Sequence, residues 1–227
     1  LYHNKITDAG AKAIAGSDTL TQLTELNLNY NLITGPGAIE LTRSKKLRQL
    51  HNIQLAYNPI EKSGKRAWKR FQLMEWFKDL HRNNRLNQVG EGLIGDFGVM
   101  VLLEFPFVSE LETLDLKNNG LTDEAVIALS QSKRLNSLVS LNLSQNNITD
   151  AGAQALGRSQ NLKRLKTLNL NFNRIGDVGA RAIAESPRLA NLESLKLGQN
   201  KIGTEGARAL NESENLKNLI HPIFGFY

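Results

Sequence analysis

Asparagine returns at a fixed interval in this chain, at Asn4, Asn31 and Asn58 and again at Asn119, Asn146, Asn173 and Asn200, with neighbours in each run 27 residues apart. Around it lies the pattern Leu-x-x-Leu-x-Leu-x-x-Asn-x-Ile. A period of this length means a stack of supersecondary units, none of which can bury its apolar face alone, so the core must form between neighbours. Between Asn58 and Asn119, Gly92, Leu93 and Ile94 reproduce the pattern with Gly in place of Asn, 27 residues ahead of Asn119. The preceding interval is then 34 residues long, which gives eight repeats, seven of 27 residues and an irregular one at 58–91.

The other columns keep the same register. Six residues after the Asn stand Gly10, Gly37, Gly64, Gly98, Gly152, Gly179 and Gly206, with Ala125 as the exception. Thirteen after it stand Ser17, Ser44, Ser132, Ser159, Ser186 and Ser213, but Phe71 and Phe105 beside the irregular repeat. Pairs such as Leu26 and Leu28, or Leu168 and Leu170, have the period of two that turns both side chains to one face of a short strand. The Asn, with a donor and an acceptor and no charge, suits the backbone groups freed where the chain leaves the strand, bonding the neighbouring coil. Asp8, Asp96, Asp123, Asp150 and Asp177 precede Ala-rich stretches, where a carboxylate is expected to cap the helix N-terminus. The Gly-Ala-x-Ala-Leu runs keep the inner helix face small. The fold expected is an α/β solenoid in a single domain over 1–227, with a concave parallel sheet and convex helices.

Runs such as "NITDAGAQAL", "NRIGDVGARAI" and "NKIGTEGARAL" resemble the ribonuclease-inhibitor-like leucine-rich repeats, and within them the Gly-Ala-x-Ala-Leu (GALA-type) repeats of bacterial proteins that include secreted effectors. The resemblance covers essentially the whole chain. It implies a horseshoe that holds a protein partner on its concave face or rims, often within ubiquitin-ligase or signalling assemblies. It implies a cytoplasmic location, or delivery into a host cell if the protein is an effector. A recognition module of a ubiquitin ligase or GTPase activator is a further implication. The chain opens at Leu1 inside a repeat and is expected to be a piece of a longer protein, and the closing "IHPIFGFY" is expected to be a capping strand or a second truncation point.

Residues between the strand leucines should face outward on the concave side. Four before the Asn run Asn27, Gln54, His81, Asp115, Asn142, Asn169 and Lys196, and six before it run Glu25, Asn52, Asp79, Thr113, Ser140, Thr167 and Ser194. One before the Asn, on the rim, stand Tyr30, Tyr57 and Phe172. Rigid aromatics of this kind either anchor a partner or cover the Asn ladder. Phe77 and Leu80 fit the strand register, so the extra residues are expected at about Arg82 to Gln88, as a loop carrying Arg82 and Arg85 off the concave side. Such an insert either marks a binding face or is a tolerated bulge. The candidate partner-binding set is Tyr30, Tyr57, His81, Arg82, Arg85, Asp115, Lys117 and Phe172, and a monomer is expected.

Residues 43–85 hold 12 Lys or Arg against 3 Asp or Glu, in a chain whose net charge is +6. Lys62, Lys65, Arg66, Lys69 and Arg70 form either a solvated helix face or a surface for nucleic acid or anionic membrane. Trp68 falls in a buried Leu column and is expected to fill the core. With no Cys and four scattered His, no nucleophilic or metal-ligating arrangement emerges, and no cofactor or catalytic role is expected. Asp79 and His81, on one strand face, form either an acid–base pair or a polar contact pair.

Overall fold

The computed structural model describes residues 1–86, 89, 93–220 and 223. The chain divides into two compact units, Leu1–Asp79 and Leu80–Tyr227. The N-terminal unit contains α1 (Asp8–Ala15), β1 (Glu25–Asn27), α2 (Gly35–Thr42), β2 (Asn52–Gln54) and most of α3 (Lys62–Arg82). The C-terminal unit contains α4 (Gly95–Leu102), β3 (Thr113–Asp115), α5 (Asp123–Gln131), β4 (Ser140–Asn142), α6 (Asp150–Arg158), β5 (Thr167–Asn169), α7 (Asp177–Ala184), β6 (Ser194–Lys196) and α8 (Thr204–Asn211). Within each unit the strands of successive repeats pair parallel, β1 with β2, Leu26 beside Ile53, in one and β3 to β6, with Leu114, Leu141, Leu168 and Leu195 in line, in the other. These leucines and their partners Leu28, Leu116, Leu143 and Leu170 are fully or almost fully buried, with Ile33, Ile148 and Ile175 closing the core behind them. The solenoid expected from the periodicity is the fold observed within each unit.

The asparagine ladder works as its chemistry requires. Asn146 Oδ1 accepts from the Asn119 and Leu121 amides, and its Nδ2 donates to the carbonyls of Leu116, Leu143 and Ser144, all at 3.0–3.1 Å. Asn31, Asn58, Asn173 and Asn200 repeat this arrangement, each reaching back to the preceding coil. The serine column closes the other end of the helices. Ser159 Oγ donates to the Ser130 carbonyl at 2.7 Å, and Ser186 Oγ to the Gly157 carbonyl at 2.5 Å.

The acidic column acts differently from the expectation. Asp123 opens α5, yet its carboxylate accepts from the Thr149 amide, the Thr149 hydroxyl and the Gly152 amide of the following repeat, at 2.8, 2.6 and 2.9 Å. Asp150 and Asp177 likewise bind the amides of Gly176 and Gly179, and of Gly203 and Gly206. Each aspartate therefore caps its neighbour's helix rather than its own, placing a negative charge against the positive end of that helix. The residue ahead of α5 and α6, Thr122 or Thr149, supplies the cap within the same repeat.

The irregular repeat departs most from the sequence-based reading. No strand forms at Phe77–His81. α3 instead runs unbroken for 21 residues from Lys62 to Arg82. Where other repeats place Ser to stop the helix, Phe71 stands, followed by the helix formers Gln72, Leu73, Met74 and Glu75. Leu73, Phe77 and Leu80, all buried, are spaced at i, i+4 and i+7, the helical period, so Phe77 and Leu80 satisfy the core from a helix. At 3.6 residues per turn these three lie on the side of α3 opposite Trp68 and Phe71, which pack on the N-terminal unit's core. The helix thus changes its buried face midway.

α3 ends in a Schellman motif. Asn84 is left-handed (φ 53°), its amide donates to the His81 carbonyl at 3.1 Å, and the Arg85 amide donates to the Leu80 carbonyl at 2.7 Å. The segment expected to be a loop inserted in a strand begins as this helix cap, with Asn87 and Gln88 outside the described residues. Of the closing segment, expected to be a capping strand or a second truncation point, residues 221, 222 and 224–227, Pro222 and Phe224 among them, also lie outside the described residues.

Candidate partner-binding surfaces

The rim column is built on an uncommon backbone. His3, Tyr30, Tyr57, Asn118, Gln145, Phe172 and Gln199 all have φ between 53° and 58°, the left-handed region that side chains rarely adopt. Several of their amides are held by the next coil, Tyr30 by the Ala56 carbonyl at 3.0 Å and Phe172 by that of Gly198 at 2.9 Å. This turn lets the following Asn swing inward, and it throws the rim side chain outward on a fixed backbone.

In the N-terminal unit that position forms an aromatic row. The rings of Tyr30 and Tyr57 stack with centroids 4.1 Å apart and planes inclined by 12°, and Tyr2 meets Tyr30 edge-on at 5.3 Å. Tyr57 is 72% exposed and Tyr30 38%. A hydrogen bond to Tyr57 raises the Tyr30 hydroxyl's pKa above its ordinary value, with smaller contributions from desolvation and from the charges of Tyr57 and Tyr2. Beside the row the strand face is polar. Asn29 Nδ2 donates to Gln54 Oε1 at 3.2 Å, while Asn29 Oδ1 accepts from the Ala56 amide at 2.8 Å. Tyr2 was not foreseen, because the first repeat lacks the strand leucines that set the register.

The other candidates are distributed through the C-terminal unit. Asp115 lies on β3, where its carboxylate accepts from the Lys117 amide at 2.8 Å and from Asn142 Nδ2 at 3.1 Å. Lys117 is exposed just beyond the strand. Phe172 is 52% exposed on the rim, flanked in the same column by Gln145 and Gln199. His81, expected on the concave face, sits in the last turn of α3 and stacks on Phe107 at 4.3 Å and 11°. Arg82 ends the helix and Arg85 follows the cap, both exposed. Asp79 and His81, two residues apart on a helix, point about 200° apart around its axis, so the shared strand face on which an acid–base pair would depend does not exist.

Trp68 does more than fill the core. The Asn52 amide and the Gln54 carbonyl of β2 face β1, so Ile53 between them turns its carbonyl to the sheet's open edge. The Trp68 indole N–H donates to that carbonyl at 2.8 Å. A side chain thereby closes the edge that the missing next strand would have paired. Among the described residues no group of three or more His, Asp or Glu could hold a metal ion, and no helix is long and apolar enough to cross a membrane.

Two family models match the chain. One, for two copies of leucine-rich repeats, covers residues 136–182, and the other, for a single leucine-rich repeat, covers 1–15, 19–41, 110–130 and 188–210. Together they span more than half of the chain. With the Asn ladder and the parallel strand register, they make it a leucine-rich-repeat protein. No curated protein matches it. Among solved structures, it is similar to the actin-binding site 2 of leiomodin-1, with 20% identity over 52% of this chain and 71% of that one and a TM-score of 0.41. An internalin (inlF) from Listeria monocytogenes is 23% identical over 92% of this chain and 48% of that one, with a TM-score of 0.31. The internalin C2 of the same organism is 19% identical over 96% and 76%, with a TM-score of 0.30.

Proposed function

We propose that this chain is a protein-recognition module that anchors a partner on Tyr30 and Tyr57 of the N-terminal unit's rim. Leucine-rich repeats generally act as non-enzymatic interaction modules, and the rim geometry supports that use here. Whether the tyrosines anchor a partner or merely cover the Asn ladder turns on one comparison. Asn119 is 1% exposed and Asn146 7%, although their rim neighbours are Asn118 and Gln145. Asn173, beside Phe172, is 8% exposed. An aromatic ring therefore adds nothing to the burial of the ladder. What the stack does provide is a large amphipathic surface whose conformational entropy is already lost before binding.

In the C-terminal unit, Phe172 on the rim and Asp115 and Lys117 at β3 form a second contact region, and His81, Arg82 and Arg85 form a third at the end of α3. The ribonuclease-inhibitor-like subclass, and an effector engaging a host protein, belong to the same proposal. The Gly-Ala-x-Ala-Leu consensus of α6, α7 and α8 supports them.

The test is a Tyr30→Ala/Tyr57→Ala double variant, compared with the wild type in affinity capture and then by calorimetry with each recovered partner. Loss of about 30-fold or more in affinity, with the melting curve preserved, is the expected result for an anchor pair. Equal affinity of both proteins for every partner would overturn the assignment. An Arg82→Gln/Arg85→Gln variant tests the third region in the same way.

A further inference from the structure

Beside the aromatic row, the strand face of the N-terminal unit carries amides whose orientation is fixed. Asn27 and Gln54 stand side by side on β1 and β2. The Asn29 backbone N–H donates to Asn27 Oδ1 at 3.0 Å. A backbone N–H can only donate, so this bond identifies the oxygen of Asn27, and the NH2 group projects the other way. The Ala56 backbone N–H fixes Asn29 Oδ1 in the same manner, which makes Asn29 Nδ2 the donor to Gln54 Oε1 and turns Gln54 Nε2 away from Asn29. Asn27 is exposed and Gln54 half-buried. Tyr30 and Tyr57 share one hydrogen bond, which uses one of their two hydroxyl protons and leaves the other to donate. A chain laid from the strand face to the rim therefore meets N–H and O–H donors and the exposed ring of Tyr57. Glu25, exposed at the start of β1, sets a negative charge beside these donors and disfavours a carboxylate or phosphate as their acceptor.

We infer that this surface binds a proline-rich segment of a protein partner in the polyproline II conformation. This rests on Tyr30 and Tyr57 as the partner's anchors and names the segment they hold. Proline has no backbone N–H, and the carbonyls of a polyproline II helix, free of internal hydrogen bonds, turn outward as acceptors. Such a chain is the electrostatic complement of a face that offers donors. An ordinary extended strand would also bring N–H groups, and the amide oxygens of Asn27, Asn29 and Gln54 are already bonded within the unit. The pyrrolidine ring packs on an exposed aromatic ring, and its fixed φ means that little conformational entropy is lost on binding. A neutral glycan fits less well, because each of its hydroxyls is a donor as well as an acceptor.

The experiment measures anisotropy of a labelled decaproline peptide against the whole chain, with a labelled glycine–serine peptide of the same length for comparison. Wild type is set beside Tyr57→Ala and beside Asn27→Asp/Gln54→Glu, which keeps each oxygen that accepts within the protein and replaces each NH2 group by an acceptor. Expected is wild-type binding to decaproline about tenfold or more tighter than to the glycine–serine peptide, and insensitive to salt because the peptide is uncharged along its length. Each variant should lose about tenfold or more in affinity while its melting curve stays that of the wild type. No decaproline binding by the wild type, or equal binding by all three proteins, would overturn the inference. If partners captured by the chain still depend on Tyr30 and Tyr57 in that case, the anchor pair stands and only the proline-rich ligand is wrong. Tyr57-dependent binding of cellohexaose without binding of decaproline would also overturn it, by reassigning the face to a neutral glycan.

Discussion

The Gly152 amide donates to Asp123 Oδ1 at 2.9 Å, an approach that only a residue without a side chain allows, since a Cβ on residue 152 would lie 2.6 Å from the same oxygen. The same distance recurs for Gly179 against Asp150 and Gly206 against Asp177. The glycine column is therefore the counterpart of the aspartate column one repeat earlier. Its exception agrees. At Ala125 the preceding acid, Asp96, binds Thr122 through its amide and hydroxyl, with no bond to the residue 125 amide among the described residues.

Gly152→Ala tests that link. Alanine in place of glycine favours a helix by about 1 kcal/mol on propensity alone. Here the displaced carboxylate loses a charge-assisted bond, so we expect a net loss of about 1–3 kcal/mol, read from the urea midpoint. A gain in stability would mean that Asp123 does not hold the α6 terminus in solution.

Asn146→Ala removes the Oδ1 and Nδ2 atoms that bond five backbone groups in the buried ladder. Taking this partner from the Asn119 and Leu121 amides and from the Leu116 carbonyl should cost about 3 kcal/mol or more, measured by chemical unfolding. A cost below about 1 kcal/mol would show that water enters the ladder and takes over its bonds.

The left-handed rim predicts a stabilising change. Gln145 is exposed at φ 58°, so Gln145→Gly relieves the strain of that backbone while losing no buried contact. We expect a gain of about 0.5–1 kcal/mol in the same measurement, the strain relief exceeding glycine's entropic cost.

Tyr30 gives a titration test. Its hydrogen bond to Tyr57 favours the neutral hydroxyl, so the folded pKa lies above the ordinary 10.0. The stability this provides is fully present below the unfolded pKa and is lost as pH rises through the folded one. In Tyr57→Phe the main cause is gone, and phenolate absorbance should show Tyr30 ionising closer to its ordinary value. Coincident titration curves for this residue in the two proteins would refute the bond.

Much of this was legible in one dimension because a repeat protein pairs each residue with its equivalent a fixed number of positions away. The Asn, Ser and strand-leucine columns could be read straight into parallel strands, and the rim tyrosines into neighbours. The irregular repeat was not legible in the same way. Phe77 and Leu80 fit a strand register carried over from neighbouring repeats, while Leu73, Phe77 and Leu80 also fit a helix. Periodicity alone does not choose between these when the same residues serve both.

The amino-acid sequence by itself determined the repeating unit, its ladders of polar side chains and the face each strand buries, because those follow from local periods of 2, 3.6 and 27. Only the tertiary structure decided that α3 runs through the expected strand, that Trp68 seals the edge of β2, and that each aspartate serves the neighbouring helix. Those outcomes are set by competition between helix propensity and strand pairing, and by distances between groups some 26 to 29 residues apart, which no local pattern encodes.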